Sequence, residues 1–348
     1  RILIDMKPAM ALRTAETQTP ELTGVVVLGT GSMGSQHLAV LGQLGTVQPI
    51  AVPTRVGRLE VLRRRGMSAV GDLREAVAYG ATRCIVATET NRHVDDGLAA
   101  IEYGLDVLVE KPLSTTAEGA RPLMTQATQR GCRVFVGCVL RFSESLQTFR
   151  TLMERVGRLH AVRIECQSYL PDWRPARPYR QSYSARAEEG GVLRDLIHEI
   201  DYAGWLFGWP DRLQARVRNL GRLGIDADET AELHWETRVG CAVSIRLDYL
   251  TKPPRRRLMA FGERGTIEWD GMAQTVRVCI GEAPPHTVTS SQTREDMLLA
   301  QDRAFIQVSR EMADPRLATG CDGVNALAVC DAARRSSHSR REEPVVYA

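Results

Sequence analysis

Val25-Val-Val-Leu28 runs directly into Gly29-Thr30-Gly31-Ser32-Met33-Gly34, and apolar residues then recur at 33, 38, 41 and 44. The first run has the length and β-branched content of a short buried strand, and the later periodicity is helical. The three glycines between them have separable tasks. Gly29 permits a tight turn, Gly31 lets the backbone approach a pyrophosphate, and Gly34 lets the helix pack closely on the strand. The helix N-terminus adds free amides and the positive end of its dipole. A Gly-x-Gly-x-x-Gly turn in this setting predicts a dinucleotide site built from Gly29, Thr30, Gly31, Ser32, Met33 and Gly34.

Outward from this turn, strand and helix signals alternate. Strands are expected at 25–28, 48–53, 68–70, 84–87, 106–110 and 133–138, and helices at 32–44, 57–65, 72–79, 93–103 and 116–130. That alternation predicts an α/β domain with a parallel doubly wound sheet. The second half changes character. After a helix at 144–156, amphipathic strands dominate at 158–168, 212–221, 229–237, 240–249, 256–262 and 265–269, interrupted by helices at 191–207 and 296–312 and closed by one at 322–336. This predicts an α+β domain with a large open, mostly antiparallel sheet. The boundary falls near 141–143, giving residues 24–142 and 143–336, with a tail at 1–23 that lacks a signal-peptide layout and a C-terminal segment at 337–348.

Composition narrows the function. The 348 residues suit two domains. No apolar run reaches the length of a membrane span. A net charge of +3 with no basic patch interleaved with aromatics argues against a nucleic-acid partner. The eight cysteines have neither zinc spacing nor CxxC pairs. They read as free thiols of a cytoplasmic protein without a metal site. Only Lys7, Lys111 and Lys252 are lysines, against 42 arginines. A lysine retained on that background is a candidate for a proton that can leave, which arginine does not release.

Lys111 stands in Glu110-Lys111-Pro112, which ends the strand at 106–110. Ligands of open α/β sheets bind at strand carboxyl ends. The end of the second strand, Ile50-Ala-Val-Pro-Thr54-Arg55, lacks the carboxylate that usually reads an NAD ribose. Thr54 and Arg55 can instead pair with a 2′-phosphate, so NADP is expected over NAD.

Three motifs occur in order: Gly29–Gly34 with Met33, Glu110-Lys-Pro112, and Gly190-Gly-Val-Leu-Arg-Asp195-Leu-Ile-His198-Glu-Ile-Asp201. Over about residues 24–335 the chain resembles the glucose–fructose oxidoreductase / inositol dehydrogenase / MocA family. The resemblance implies a Rossmann domain, a second domain that binds substrate and forms oligomers, and nicotinamide-dependent hydride transfer on a sugar, sugar derivative or cyclitol. It implies catalytic roles for Lys111, Asp195 and His198. It places Ala87, Thr88, Asn91 and His93 with Glu110 and Lys111 on the cofactor, His93 also capping the next helix. It places Arg141 near nicotinamide and substrate. The family commonly spaces its second-domain pair Asp-x-x-x-His, whereas this chain has Asp195-x-x-His198. On one helix these still share a face, with Asp201 available to orient His198. The segment 168–183, rich in Trp, Tyr and Arg, resembles a branch associated with sialic-acid-like and other surface-glycan sugars. Trp173 or Tyr179 would lie under a sugar ring, and Arg177 and Arg180 would hold an acidic group. A homodimer or homotetramer is expected. Two alternatives stay open: an enzyme that hydrolyses glycosides with tightly held NAD, and a non-catalytic dinucleotide sensor.

Overall fold

A computed structural model describes residues 22–347; of the tail expected at 1–23, residues 1–21 lie outside the described residues. Strand β1 (Thr23–Leu28) leads through the glycine turn into helix α1 (Ser32–Leu41). There follow β2 (Val47–Val52), α2 (Arg58–Arg64), α3 (Leu73–Ala78), β3 (Ala81–Val86), α4 (His93–Glu102), β4 (Asp106–Val109), α5 (Ala117–Arg130) and β5 (Val134–Val136). The strands pair in parallel in the order β5-β4-β3-β1-β2. Leu28, Val52, Val86, Val109 and Val136 are in register. The loops that follow these residues therefore open on one edge of the sheet, where ligands of such sheets bind.

The strand expected at 68–70 is reduced to a bridge between Ala51 and Ala69. It is squeezed between Gly66 and Asp72, whose side chain caps α3 by accepting the Glu75 amide. The sixth strand comes from the far end of the chain.

The second half runs α6 (Glu144–Leu152), β6 (Leu159–Gln167), α7 (Val192–Asp195), α8 (Ile197–Phe207), β7 (Arg212–Arg218), β8 (Thr230–Glu236), β9 (Ala242–Asp248), β10 (Arg255–Gly262), β11 (Gly265–Asp270), β12 (Thr275–Ile280), β13 (His286–Thr289), α9 (Arg294–Ile306), β14 (Ala318–Thr319), α10 (Gly320–Ser339) and β15 (Glu343–Pro344). Nine strands form one sheet, β13-β12-β11-β10-β6-β9-β8-β7-β15, antiparallel except where β6 meets β9. Its inner face is apolar, with Leu233, Ile245, Leu258 and Ile267 buried, and it packs on α8 and α10. Tyr202 of α8 meets Trp269 edge-on at 5.8 Å. Its outer face carries cross-strand ion pairs such as Arg246–Glu232 and Arg257–Glu268.

The division at 142/143 is not a clean cut in space. β14 pairs antiparallel with β5 and supplies the sixth strand of the first sheet. Ala304 and Phe305 of α9 join Val25, Val27, Leu38 and Leu41 in one apolar cluster. The second half thus covers one face of the first sheet. Strands β12 and β13 were absent from the sequence expectation. Among the described residues no helix is long and apolar enough to cross a membrane.

Candidate active site

The glycine turn has the shape its sequence predicts. Gly29 has φ +90°, and a Cβ there would meet the Ala87 carbonyl oxygen at 2.8 Å. A Cβ on Gly34 would land on the Gly29 carbonyl oxygen, so only hydrogen fits. Gly31 differs: a Cβ there meets nothing within 4 Å. It caps α1 with no side-chain hydrogen bond to the first-turn amides. The Thr88 hydroxyl, beside Gly29, is buried with no hydrogen-bond partner among the described residues. Open space, unsatisfied amides and an orphaned hydroxyl fit a pyrophosphate. Ala87 is buried in the same wall, while Ser32 and Asn91 are exposed at its rim. Further along the edge, Val52, Pro53, Thr54, Asp72 and Arg74 line a cleft of about 420 Å³, with Arg55 exposed beside it.

His93 and Glu110 do not line this cleft. The His93 ring lies between the carbonyl oxygens of Pro112 (2.8 Å, from Nδ1) and Thr88 (3.3 Å, from Nε2). It ties the two loops together, and burial holds its pKa below the ordinary value. The Glu110 carboxylate turns inward to His37 Nε2 at 3.1 Å. Both were expected at the cofactor; each instead satisfies a buried neighbour.

Lys111 points the other way. Its Nζ donates to the Asp195 carbonyl oxygen at 2.7 Å, bridging the first sheet's edge to the second half. Asp195 is the last residue of α7. At Leu196 (φ −99°, ψ 29°) the chain leaves helical geometry, and His198 lies in the first turn of α8. The shared helix face expected for Asp195 and His198 is therefore absent. The Asp195 carboxylate accepts from the Tyr249 hydroxyl at 2.5 Å, and its other oxygen, Oδ1, is buried without a partner among the described residues. The Asp195 charge, with burial, pushes the Tyr183 phenol up. His198 Nδ1 is likewise buried and has no partner among the described residues. Burial holds the His198 pKa well below the ordinary value, and the Lys111, Arg256 and Arg294 cations push it the same way. The ring is neutral at neutral pH and retains a lone pair.

Asp201 does not orient His198. It binds Arg141 through both oxygens, at 2.9 Å to Nε and 2.7 Å to Nη2. Arg141 Nη1 reaches Asp322 at 3.3 Å. Arg141 is 2 % exposed, and the two carboxylates occupy its fork. It joins the halves of the molecule and is not a free substrate ligand. Trp173 donates Nε1–H to Ser168 Oγ at 2.9 Å and stands edge-on to Tyr249 at 5.4 Å, one layer behind Asp195. The Tyr179 hydroxyl and Arg180 Nε both donate to the Leu223 carbonyl, at 2.9 and 3.1 Å. That shared anchor pins the segment to a neighbouring loop.

Sequence reasoning missed His37, Asp302, Tyr183, Tyr249, Arg256 and Arg294. His37 carried a signal: it is a polar residue three positions after Gly34, on the buried stripe of α1. Arg256 donates to Glu199 at 2.8 Å, next to His198. Arg294, at the start of α9, contacts the Met33 sulfur at 3.7 Å and so stands over the glycine turn.

Comparison with known proteins gives the family. Residues 23–138 match the oxidoreductase family, NAD-binding Rossmann fold, and residues 147–268 match the GFO/IDH/MocA C-terminal domain. A myo-inositol dehydrogenase of Streptomyces leeuwenhoekii is 28% identical over 90% of this chain and 97% of its own. Two solved structures share the fold. Levoglucosan dehydrogenase in complex with NADH and L-sorbose superimposes with a TM-score of 0.82 at 17% identity, over 94% of this chain and all of that one. The WlbA dehydrogenase of Bordetella pertussis in complex with NADH and UDP-GlcNAcA gives 0.79 at 21% identity, over 94% and 99% of the two chains. Family models match both halves of the chain, and on that ground the chain belongs to the Gfo/Idh/MocA family of NAD(P)-dependent oxidoreductases.

Proposed function

We propose that this enzyme is a dehydrogenase that moves a hydride between a nicotinamide dinucleotide and a carbinol carbon of a sugar, sugar derivative or cyclitol. One observation carries the reading. Asp195 Oδ1 and His198 Nδ1 are buried polar atoms with no hydrogen-bond partner within the distance limit among the described residues, and the Lys111 ammonium donates to the Asp195 carbonyl and acts on the His198 ring. Buried polar atoms seek partners, and adjacent hydroxyls of a polyol would supply them. The relatives that act on inositol and levoglucosan support the same substrate class.

In the oxidative direction the neutral His198 ring accepts the hydroxyl proton. Lys111 donates to the same oxygen and stabilises the negative charge that develops there. The bound nicotinamide supplies the hydride acceptor. Asp195, held by Tyr249, orients a neighbouring hydroxyl. In reduction His198 returns the proton to the carbonyl oxygen.

NADP is the proposed preference, because Thr54 and Arg55 are exposed at the end of β2 with no carboxylate between residues 50 and 55. Reduced-nicotinamide absorbance with inositols and aldoses, in NADP and in NAD, tests both readings. Arg55→Ala should weaken NADP binding about tenfold by calorimetry, the worth of one charge-assisted hydrogen bond, and leave NAD binding unchanged. Tighter binding of NAD by the unaltered protein would overturn the preference.

A dimer or tetramer formed through the outer face of the nine-stranded sheet completes the proposal, in a cytoplasmic setting that suits eight free thiols. Phe261 and Met259 stand half-exposed among the charges of that face. Light scattering at micromolar concentration should return a mass of two or four chains; a single-chain mass contradicts it.

A further inference from the structure

His37 is fully buried, and both its ring nitrogens face carboxylates: Nδ1 to Asp302 Oδ2 at 2.7 Å and Nε2 to Glu110 Oε1 at 3.1 Å. A carboxylate only accepts, so both contacts are satisfied when the ring carries two protons. The three residues come from three places. His37 lies on the dinucleotide helix α1, Glu110 on the loop after β4, and Asp302 on α9 of the second half. We propose that His37 is a positioning residue. As an imidazolium clamped between Asp302 and Glu110, it keeps Glu110 ionised and fixed, and through Glu110 it places Lys111. The inference rests on the dehydrogenase reading for its purpose, though not for its test.

Glu110 has few other choices. Its Oε2 accepts the Lys111 amide at 3.3 Å, and a Cβ on Gly137 would come within 2.7 Å of Oε1, so the backbone just after β5 walls it in. Burial disfavours the charged His37 ring, but the Asp302 charge and the hydrogen bonds of both carboxylates overcome this and lift its pKa to about 10. Burial would likewise raise Glu110; the His37 bond and charge, with Lys111 and His93 nearby, hold it below the usual carboxylate value. Asp302 has Gln301 beside it at 3.4 Å. These are the polar groups that face the trio, and among the described residues no group of three or more His, Cys, Asp and Glu side chains is arranged to hold a metal.

Without the imidazolium, two buried carboxylates face each other with no cation between them. One must then take up a proton near neutral pH. The Glu110–Asp302 pair would titrate where it does not in the unaltered protein, and a proton shared with Glu110 would loosen its hold on Lys111. Because the chain has only three lysines, the Lys111 side-chain resonance can be assigned by NMR and used as a reporter. In the full-length protein, the His37 ring should remain doubly protonated at pH 8. The Lys111 resonance should show no inflection between pH 5 and pH 8. In His37→Asn a new inflection should appear in that interval. Asp302→Asn keeps the side-chain shape and removes one charge; it should bring the His37 pKa down by a unit or more. A neutral His37 ring at pH 7, or a Lys111 profile in His37→Asn that matches the unaltered protein, overturns the proposal. If His37→Asn does not fold, an unmoved His37 pKa in Asp302→Asn overturns it instead. None of these readouts needs turnover. Absence of sugar oxidation by the unaltered protein counts against the dehydrogenase reading alone.

Discussion

Gly31→Val is expected to remove dinucleotide binding while leaving the fold and its melting temperature nearly unchanged. Gly31 has φ −72° and ψ −156°, an extended conformation open to any residue. Its absent Cβ faces no protein atom within 4 Å. The Cβ of a valine there meets no described atom within 4 Å, and the loss of glycine at the cap position costs at most ~1 kcal/mol. The new side chain projects from the cap of α1 into the space where the first-turn amides would meet phosphate oxygens. Loss of two charge-assisted hydrogen bonds at about 1.5–3 kcal/mol each raises Kd by about 10²–10⁴-fold. Gly34→Ala provides the contrast. Its Cβ collides with the Gly29 carbonyl oxygen, so stability and binding should fall together. Calorimetric titration with a thermal melt separates the two cases. Wild-type affinity in Gly31→Val would remove the glycine turn from the cofactor site.

The difference between these glycines shows what the sequence could convey. The spacing of Gly29, Gly31 and Gly34 specifies a local geometry, and all three positions adopt it because a strand, a turn and a helix are decided within a dozen residues. The parallel order of β1 to β5 follows for the same reason, from short-range alternation. Long-range closure is another matter. Nothing near residue 300 announces that α9 would lie against α1, or that Thr319 would extend the first sheet beside Phe135. Polar residues were read by type and motif, yet burial decided their partners. Arg141 looked available for ligand and Asp201 for His198, and the two are spent on each other. His37 and Asp302 looked incidental and form a buried ionic link. The bend at Leu196 explains the shortened Asp195-x-x-His198 spacing: the two residues belong to different helices, so one residue fewer does not simply rotate the pair about one axis. Asp195 takes its orientation from Tyr249, 54 positions away, which no helix periodicity could reveal.

Replacement of His198 by asparagine should lower turnover by about 10²–10⁴-fold, the usual worth of a general acid–base group. Dinucleotide affinity should hold, because His198 lies on α8 and not on the loops of the parallel sheet. The pH dependence gives an independent check. The His198 pKa lies well below 6.5, so the ring can accept a proton throughout the neutral range. Oxidative kcat/KM of the unaltered enzyme should stay flat there and decline only on the acid side of pH 6.5, as the ring protonates. His198→Asn should lose that acid limb together with the rate. Lys111 tests the oxygen-polarising half of the mechanism. Lys111→Ala removes one preorganised donor and should cost about 10²–10³-fold in kcat. Lys111→Arg preserves the charge, yet the compact ammonium now sits 2.7 Å from the Asp195 carbonyl, and a larger planar guanidinium does not reproduce that placement. Arginine should therefore recover little of the loss. Substantial rescue by arginine would reduce Lys111 to a source of charge, and full activity of His198→Asn at neutral pH would pass the proton to Lys111 itself.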